Sequence, residues 1–111
     1  MGNTASGDYS LVAGNKNTAS GDYAFAAGYK TQATGDYSVA LGNNTVANEN
    51  NEVVIGYYNK QNQTYIYNNT TYTDPNDYLF IVGNGTNLAP SNIMEVTTDK
   101  IITRGNFIIG V

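Results

Sequence analysis

The sequence predicts an all-β fold, a solenoid of four short coils followed by a small β module. Three observations support this prediction: a 14-residue motif recurs through the first half, each copy alternates small and larger apolar residues, and the composition is poor in helix formers. Gly, Asn and Thr are poor helix formers, whereas Thr and Tyr suit strands. The 111 residues include 12 glycines and 10 tyrosines, which favours strands joined by many turns.

The repeat covers residues 3–58. Its copies are 3–16, 17–30, 31–44 and a degenerate 45–58, with equivalent glycines at Gly14, Gly28, Gly42 and Gly56. This period is shorter than that of helix-pair or leucine-rich repeats. Two heptads are disfavoured, because Gly and Asn at fixed positions weaken a helix and no apolar seam is present. Two short strands and two tight turns do fit, so each copy is predicted to be one coil, stacked at about 4.8 Å on the next.

The second strand of each copy, predicted to begin at the Asp-Tyr pair, separates small residues from larger apolar ones. A coil of this length has little room inside, so we place the small face in its interior, together with Ala5, Ala19, Ala33 and Ala47. The larger residues then form an outward-facing apolar stripe that consists of Leu11, Phe25, Val39, Leu41, Val53 and Ile55.

This stripe predicts an oligomer. An apolar surface of this size is unfavourable in water on a monomer. The coil interior alone is also too small to stabilise so short a chain comfortably. The sequence therefore predicts an obligate homo-oligomer, and threefold symmetry would bring three stripes to one axis. The six stripe residues are the predicted trimer interface.

The repeat motif also resembles a known family. The string Ala-Ser-Gly-Asp-Tyr-Ser, followed by Gly and Thr-x-Ala at fixed positions and ending at Asn51–Gly56, is similar to the head repeats of trimeric autotransporter adhesins. The resemblance covers about residues 3–58 and implies a left-handed parallel β-roll with three chains around a common axis. Such repeats also occur in bacteriophage tail fibres and other virion appendages. Glu52 stands where the family has Ser or Ala, which predicts that the fourth coil is the last, its interior open to solvent or to the next segment.

The second half lacks the repeat. Residues 59–77 are rich in Asn, Thr and Tyr and predict a loop or edge hairpin that ends in a turn. Residues 78–111 predict a small C-terminal β module with short strands at 78–82, 93–97, 100–103 and 107–109. In this module the strings Leu79–Thr86, Ser91-Asn92 and Glu95–Thr97 resemble segments that follow head repeats in phage tail-fibre and prophage structural proteins. Long exposed loops often carry binding function, so we take Tyr65, Tyr67 and Tyr72 as candidate ligand contacts.

The composition excludes several kinds of chemistry. The chain has no Cys and no His, so it has no disulfide, no thiolate nucleophile and little acid–base machinery. Nine acidic residues against five basic ones argue against nucleic acid binding. No apolar run reaches the roughly 18 residues of a membrane span, and no secretory signal pattern is present. We predict no catalytic residue, no cofactor, no metal and no membrane insertion.

Two columns of repeated side chains allow alternative interpretations. A column of carboxylates could bridge calcium, but Asp after Gly is also an ordinary turn residue, and we favour the turn. Neighbouring carboxylates could serve a glycosidase, but the repeat offers no unique pair and no apolar pocket. Stacked tyrosines could contact a ligand, but we favour simple cross-strand stabilisation. The carboxylate column consists of Asp8, Asp22 and Asp36, and the tyrosine column consists of Tyr9, Tyr23 and Tyr37.

The sequence thus predicts a non-enzymatic structural or adhesive module of a trimeric fibre. The first interpretation is a phage tail or capsid fibre at the virion surface, joined to other virion or fibre proteins and attaching to a host-surface glycan or protein. The alternative is a head fragment of a bacterial trimeric autotransporter adhesin on the extracellular cell surface, cut from a longer precursor. A carbohydrate-active appendage is the second alternative.

Overall fold

The computed structural model describes residues 2–61, 64–73 and 78–110. For the strands within 64–73, it describes the backbone pairing and not the side chains. All the regular structure in these residues is β, arranged in a four-stranded, a two-stranded and a seven-stranded sheet. The prediction of an all-β fold is therefore confirmed.

Four coils stack in the first half, and each consists of one short and one long strand. The short strands are β1 (Thr4–Ala5), β3 (Thr18–Ala19), β5 (Gln32–Ala33) and β7 (Val46–Ala47). The long strands are β2 (Leu11–Asn15), β4 (Phe25–Tyr29), β6 (Val39–Asn43) and β8 (Val53–Tyr57). Both sets pair in parallel, with each residue opposite the one 14 positions later in the sequence. The predicted solenoid of stacked 14-residue coils is confirmed.

The interior of the roll is lined by small side chains. Ala19, Ala33 and Ala47 on the short strands are fully buried, as are Ala26 and Ala40 on the long strands. The predicted inward orientation of the small face is thus confirmed for the stacked coils. Ala5 is exposed, because it lies in the first coil and is covered from one side only.

The long strands begin later than the sequence analysis predicted. Each starts two residues after the repeated tyrosine, and Tyr9, Tyr23 and Tyr37 lie in turns with φ between 57° and 59°. In the first turn, the Ser10 N–H donates to the Gly7 carbonyl at 3.3 Å. The tyrosines therefore lie at a corner of the coil and not on the sheet face that carries the apolar stripe.

Two columns of glycine allow the coils to approach each other. Gly28 has a φ of +128°, and a Cβ at this position would lie 2.0 Å from the carbonyl oxygen of Gly42 in the next coil. At the other corner, a Cβ on Gly21 would lie 2.0 Å from the carbonyl oxygen of Gly35. Any side chain at these positions would therefore separate the coils.

The second half continues the same sheet. After a hairpin of β9 (Thr64–Tyr67) and β10 (Thr70–Thr73), β11 (Tyr78–Asn84) pairs in parallel with β8. Strands β12 (Asn92–Thr97) and β13 (Ile101–Thr103) then add to it in antiparallel order. The long-strand sheet therefore runs β2-β4-β6-β8-β11-β12-β13.

The fourth coil is the last full coil, as expected from Glu52, and its interior is open to the next segment and not to solvent. Strand β11 adds a fifth long strand, and Ile81 extends the buried column above Val54. Glu52 is fully buried. The chain reaches β11 only after the intervening segment 59–77, so no fifth short strand forms among the described residues. The proposed division of the chain after residues 58 and 77 stays a prediction.

The predicted strand at 107–109 is absent. Strand β13 ends at Thr103, and the chain passes through Gly105 with a φ of +147°. Phe107, Ile108 and Ile109 follow in irregular structure with exposures between 65% and 83%. This tail forms no ladder of hydrogen bonds with the sheet edge, so its apolar residues do not make a strand.

Candidate interaction surfaces

The outward side of the long-strand sheet is apolar along the whole roll. Strand register aligns Leu11, Phe25, Val39 and Val53 in one row. Leu41 and Ile55 lie two residues further along their strands, in the next row. Leu11 is 59% exposed and the other five side chains are half-buried. All six predicted stripe residues therefore face outward on one sheet, and their contact with other chains stays a prediction.

The same face extends beyond the predicted stripe. Phe80 pairs with Val53 and Val82 with Ile55, and the antiparallel strand β12 places Val96 and Met94 beside them. The sequence analysis missed these residues because the intervening segment interrupts the 14-residue period. A signal was available, since Phe80-Ile81-Val82-Gly83 repeats the pattern of Val53-Val54-Ile55-Gly56.

The repeated aspartates hold adjacent coils together. The backbone N–H of Asp8 donates to Oδ1 of Asp22, and that of Asp22 donates to Oδ1 of Asp36, both at 2.9 Å. In the last coil, Oδ1 of Asn50 accepts the N–H of Asp36 at the same distance of 2.9 Å. Because a neutral amide fills the same position, this contact needs an oxygen acceptor and not a charge. The carboxylates of Asp22 and Asp36 each accept a hydrogen bond from the preceding coil, whereas the sequence analysis expected a bond within their own turn.

The repeated tyrosines form a continuous stack beside these aspartates. The ring centroids of Tyr9 and Tyr23 are 5.1 Å apart, as are those of Tyr23 and Tyr37, with interplanar angles of 13° and 2°. Each ring covers the face of its neighbour, so ring edges and hydroxyl groups face solvent. This geometry fits the cross-coil stabilisation that the sequence analysis favoured.

The candidate ligand contacts lie in the hairpin. Tyr65 pairs across the hairpin with Tyr72, and Tyr67 lies two residues further along β9. These three positions therefore share one face of the two-stranded hairpin, because residues two apart and residues directly opposite lie on the same side. Their side chains lie outside the described part of the structure.

A charged cluster fixes the C-terminal strands. The Glu95 side chain is 2% exposed, and its Oε1 accepts a hydrogen bond from Nη1 of Arg104 at 2.6 Å. Nδ2 of Asn92 donates to the same oxygen at 3.1 Å. Asn92 also bonds both the N–H and the carbonyl of Lys60, each at 2.8 Å. The cluster thus joins β12, the segment after β13 and the start of the intervening segment.

Within residues 2–61, 64–73 and 78–110, no three Asp or Glu side chains are grouped closely enough to hold a metal ion. The same part of the chain contains no helix that is long and apolar enough to cross a membrane.

The stacked coils, the glycine columns and the outward apolar face define a β-solenoid structural module. Residues 5–31, 21–45 and 33–59 match the YadA head domain repeat, so the roll belongs to the head-repeat family of trimeric autotransporter adhesins. Searches among curated proteins and among solved structures gave no significant match.

The family match changes the order of the functional interpretations. YadA head repeats are adhesin repeats and not an enzyme family, so the chain carries an adhesin-type structural or adhesive module. Heads of such adhesins lie outside the cell, at its surface. The match favours the bacterial-surface alternative over the virion fibre that the sequence analysis placed first, and no finding supports a tail or capsid location.

Proposed function

We propose that this chain is part of the homotrimeric, non-enzymatic head of a bacterial surface adhesin, held together through its apolar stripe. One observation carries the proposal: a roll built of YadA head repeats presents an unbroken apolar row on its outward face. In the trimer, three such rows meet around a common axis.

The buried core supports this arrangement. Most of the buried apolar residues inside the roll are alanines. Alanine contributes little apolar area, so one chain gains little hydrophobic stabilisation from its own interior. Packing Phe25 and Leu41 against neighbouring chains would supply the larger apolar contacts that the coil interior lacks.

The mechanism of such a head is mechanical. Backbone hydrogen bonds between successive coils make the roll stiff, as in other solenoids. Trimerisation presents each surface feature three times, so weak contacts with a host surface add up through multivalency.

The test is the mass of the folded chain in solution by light scattering. We expect about three times the 11.9 kDa of one chain. Phe25→Asp places a charge on the stripe and should give monomers. Asn48→Asp, an exposed position beside the short strand β7, is the matched control and should stay trimeric. A folded wild-type monomer would refute the proposal.

A second proposal concerns the ligand contact. The positions Tyr65, Tyr67 and Tyr72 share one hairpin face, and tyrosine offers rigid amphipathic area at low entropy cost. We infer that this face binds a host-surface glycan or protein. Replacing all three by Ser should abolish binding to host cells while the mass stays that of a trimer. Tyr9→Ser, in the roll, is the control and should bind like wild type, and unchanged binding by the triple variant would exclude the hairpin.

A further inference from the structure

We propose that the contact between chains extends past the repeats onto β11, β12 and β13, where Phe80, Val82, Met94 and Val96 pack against the same residues of a second and third copy. This inference rests on the proposed trimer, because the repeat stripe defines the axis. It assigns to the non-repeat half a role in assembly that the family match at 5–59 does not cover.

Strand register places these side chains in the rows of the stripe. The row of Leu11, Phe25, Val39 and Val53 continues through Phe80 to Val96 and Ile101. The second row continues from Ile55 through Val82 to Met94. One apolar row therefore runs across all seven strands of the sheet, and the second ends at Met94 on β12, because Thr103 follows it on β13.

Burial separates the two faces of the added strands. Ile81 and Glu95 pair with each other and are buried on the interior side. Their neighbours Phe80, Val82, Met94 and Val96 are only half-buried, and Ile101 is 64% exposed. In a single chain, the outward apolar face is therefore partly exposed to water. This holds for the added strands as well as for the repeats.

Among residues 78–110, the charged side chains lie away from this face. Glu95 points to the interior, where it pairs with Arg104. Asp99 and Lys100 lie in the turn between β12 and β13, and Arg104 lies just after β13. Buried interface centres are depleted of charge, so this distribution suits a surface that another chain covers.

The geometry favours a second copy of this chain as the partner that covers the outward apolar face. Under cyclic symmetry, a row that lies along the axis meets its own equivalents at every level. The repeat strands alone supply a face of roughly 15 Å at the 4.8 Å strand spacing, and the seven strands supply roughly 30 Å. Stable interfaces use on the order of 20–30 residues per partner, so the longer face comes closer to this requirement.

Cysteine cross-linking tests the inference directly, because the chain has no Cys of its own. Each variant is treated with a short bifunctional maleimide. Val96→Cys reports on the added strands, and Phe25→Cys reports on the repeat stripe. Asn87→Cys, in an exposed loop, is the control. We expect covalent dimers from Val96→Cys and Phe25→Cys and none from Asn87→Cys.

The outcomes separate this inference from the proposed function. Dimers from Phe25→Cys without dimers from Val96→Cys would overturn the inference and leave the repeat trimer intact. Absence of both, with a monomeric mass, would overturn the trimer itself. As a second readout, Val96→Asp should shift the mass from three chains toward one with unchanged circular dichroism, whereas Asn87→Asp should not. A trimeric Val96→Asp variant would contradict the inference.

Discussion

Asn17 and Thr31 are joined by two hydrogen bonds inside the roll, one coil apart. Oδ1 of Asn17 accepts from the Thr31 N–H at 2.9 Å and from the Thr31 hydroxyl at 2.7 Å. Nδ2 of Asn17 also donates to the carbonyls of Ala13 and Gly28, at 2.7 and 2.8 Å. Both side chains are fully buried, so a single amide satisfies the polar groups of three neighbouring strands and turns.

Asn17→Ala should therefore be strongly destabilising. It leaves the buried Thr31 N–H and hydroxyl without their partner and removes the bond to the Gly28 carbonyl, at an expected cost of about 3 kcal/mol. The midpoint of urea denaturation measures this cost. Asn15→Ala, at an exposed position of β2, is the matched control and should change stability by less than about 0.5 kcal/mol. Equal midpoints for the two variants would show that the buried amide is not important.

Gly28→Ala should prevent the coils from stacking. The added Cβ would lie 2.0 Å from the Gly42 carbonyl oxygen, and the φ of +128° is itself unfavourable for alanine. We expect loss of the cooperative folding transition, followed by circular dichroism on heating. Gly110→Ala is the control, because its φ is +68° but no atom lies within 4 Å. A Gly28→Ala variant that melts like wild type would contradict the close approach.

The aspartate column predicts a difference between two substitutions at one position. Asp36→Asn keeps an oxygen to accept the Asp22 N–H and removes a repeated negative charge, so stability should stay the same or rise slightly. Asp36→Ala removes the acceptor and should cost about 1 kcal/mol. Chemical denaturation of both variants measures the difference. If Asp36→Asn is as damaging as Asp36→Ala, then the carboxylate has a role beyond this hydrogen bond.

The C-terminal ion pair predicts a rescue. Arg104→Ala leaves the Glu95 carboxylate buried without its cation, which should cost about 2 kcal/mol, less than for a fully buried pair because Arg104 is 49% exposed. Adding Glu95→Gln should recover much of this loss, since a neutral amide needs no cation. Thermal denaturation compares the single and double variants.

The exposed pair of Lys100 and Asp99, 3.8 Å apart, serves as the control for this experiment. Lys100→Ala should change stability by less than about 0.5 kcal/mol. A double variant that is less stable than Arg104→Ala would show that the charge on Glu95 contributes in another way.

The repeats were predictable because each coil imposes the same restraints on the same positions. Alanine recurs where a side chain is enclosed by the coil, and glycine recurs where adjacent coils touch, so the 14-residue period and the alternation of small and larger residues identified the interior. Tyr9 was misplaced on the strand because its left-handed φ of 57° is unusual for a side chain of that size.

The pairing of β8 with β11 could not be predicted from the 14-residue period of the repeats. Gly56 and Gly83 pair directly in the sheet, yet 27 residues separate them in the sequence instead of 14. The pairing depends on long-range contacts, such as the Tyr78 N–H donating to Oε2 of Glu49 at 3.1 Å. Local sequence preferences carry no information about such long-range contacts. The second half was therefore predicted only as separate short strands.

The glycine columns also bear on how such a molecule changes during evolution. Each coil bonds only to the coils beside it, so the duplication of one 14-residue unit among the first three coils would leave every existing contact with an equivalent partner. Each duplication would lengthen the roll by about 4.8 Å without a new fold. The length of the roll is then set by the number of gene-encoded units and can change in fixed steps.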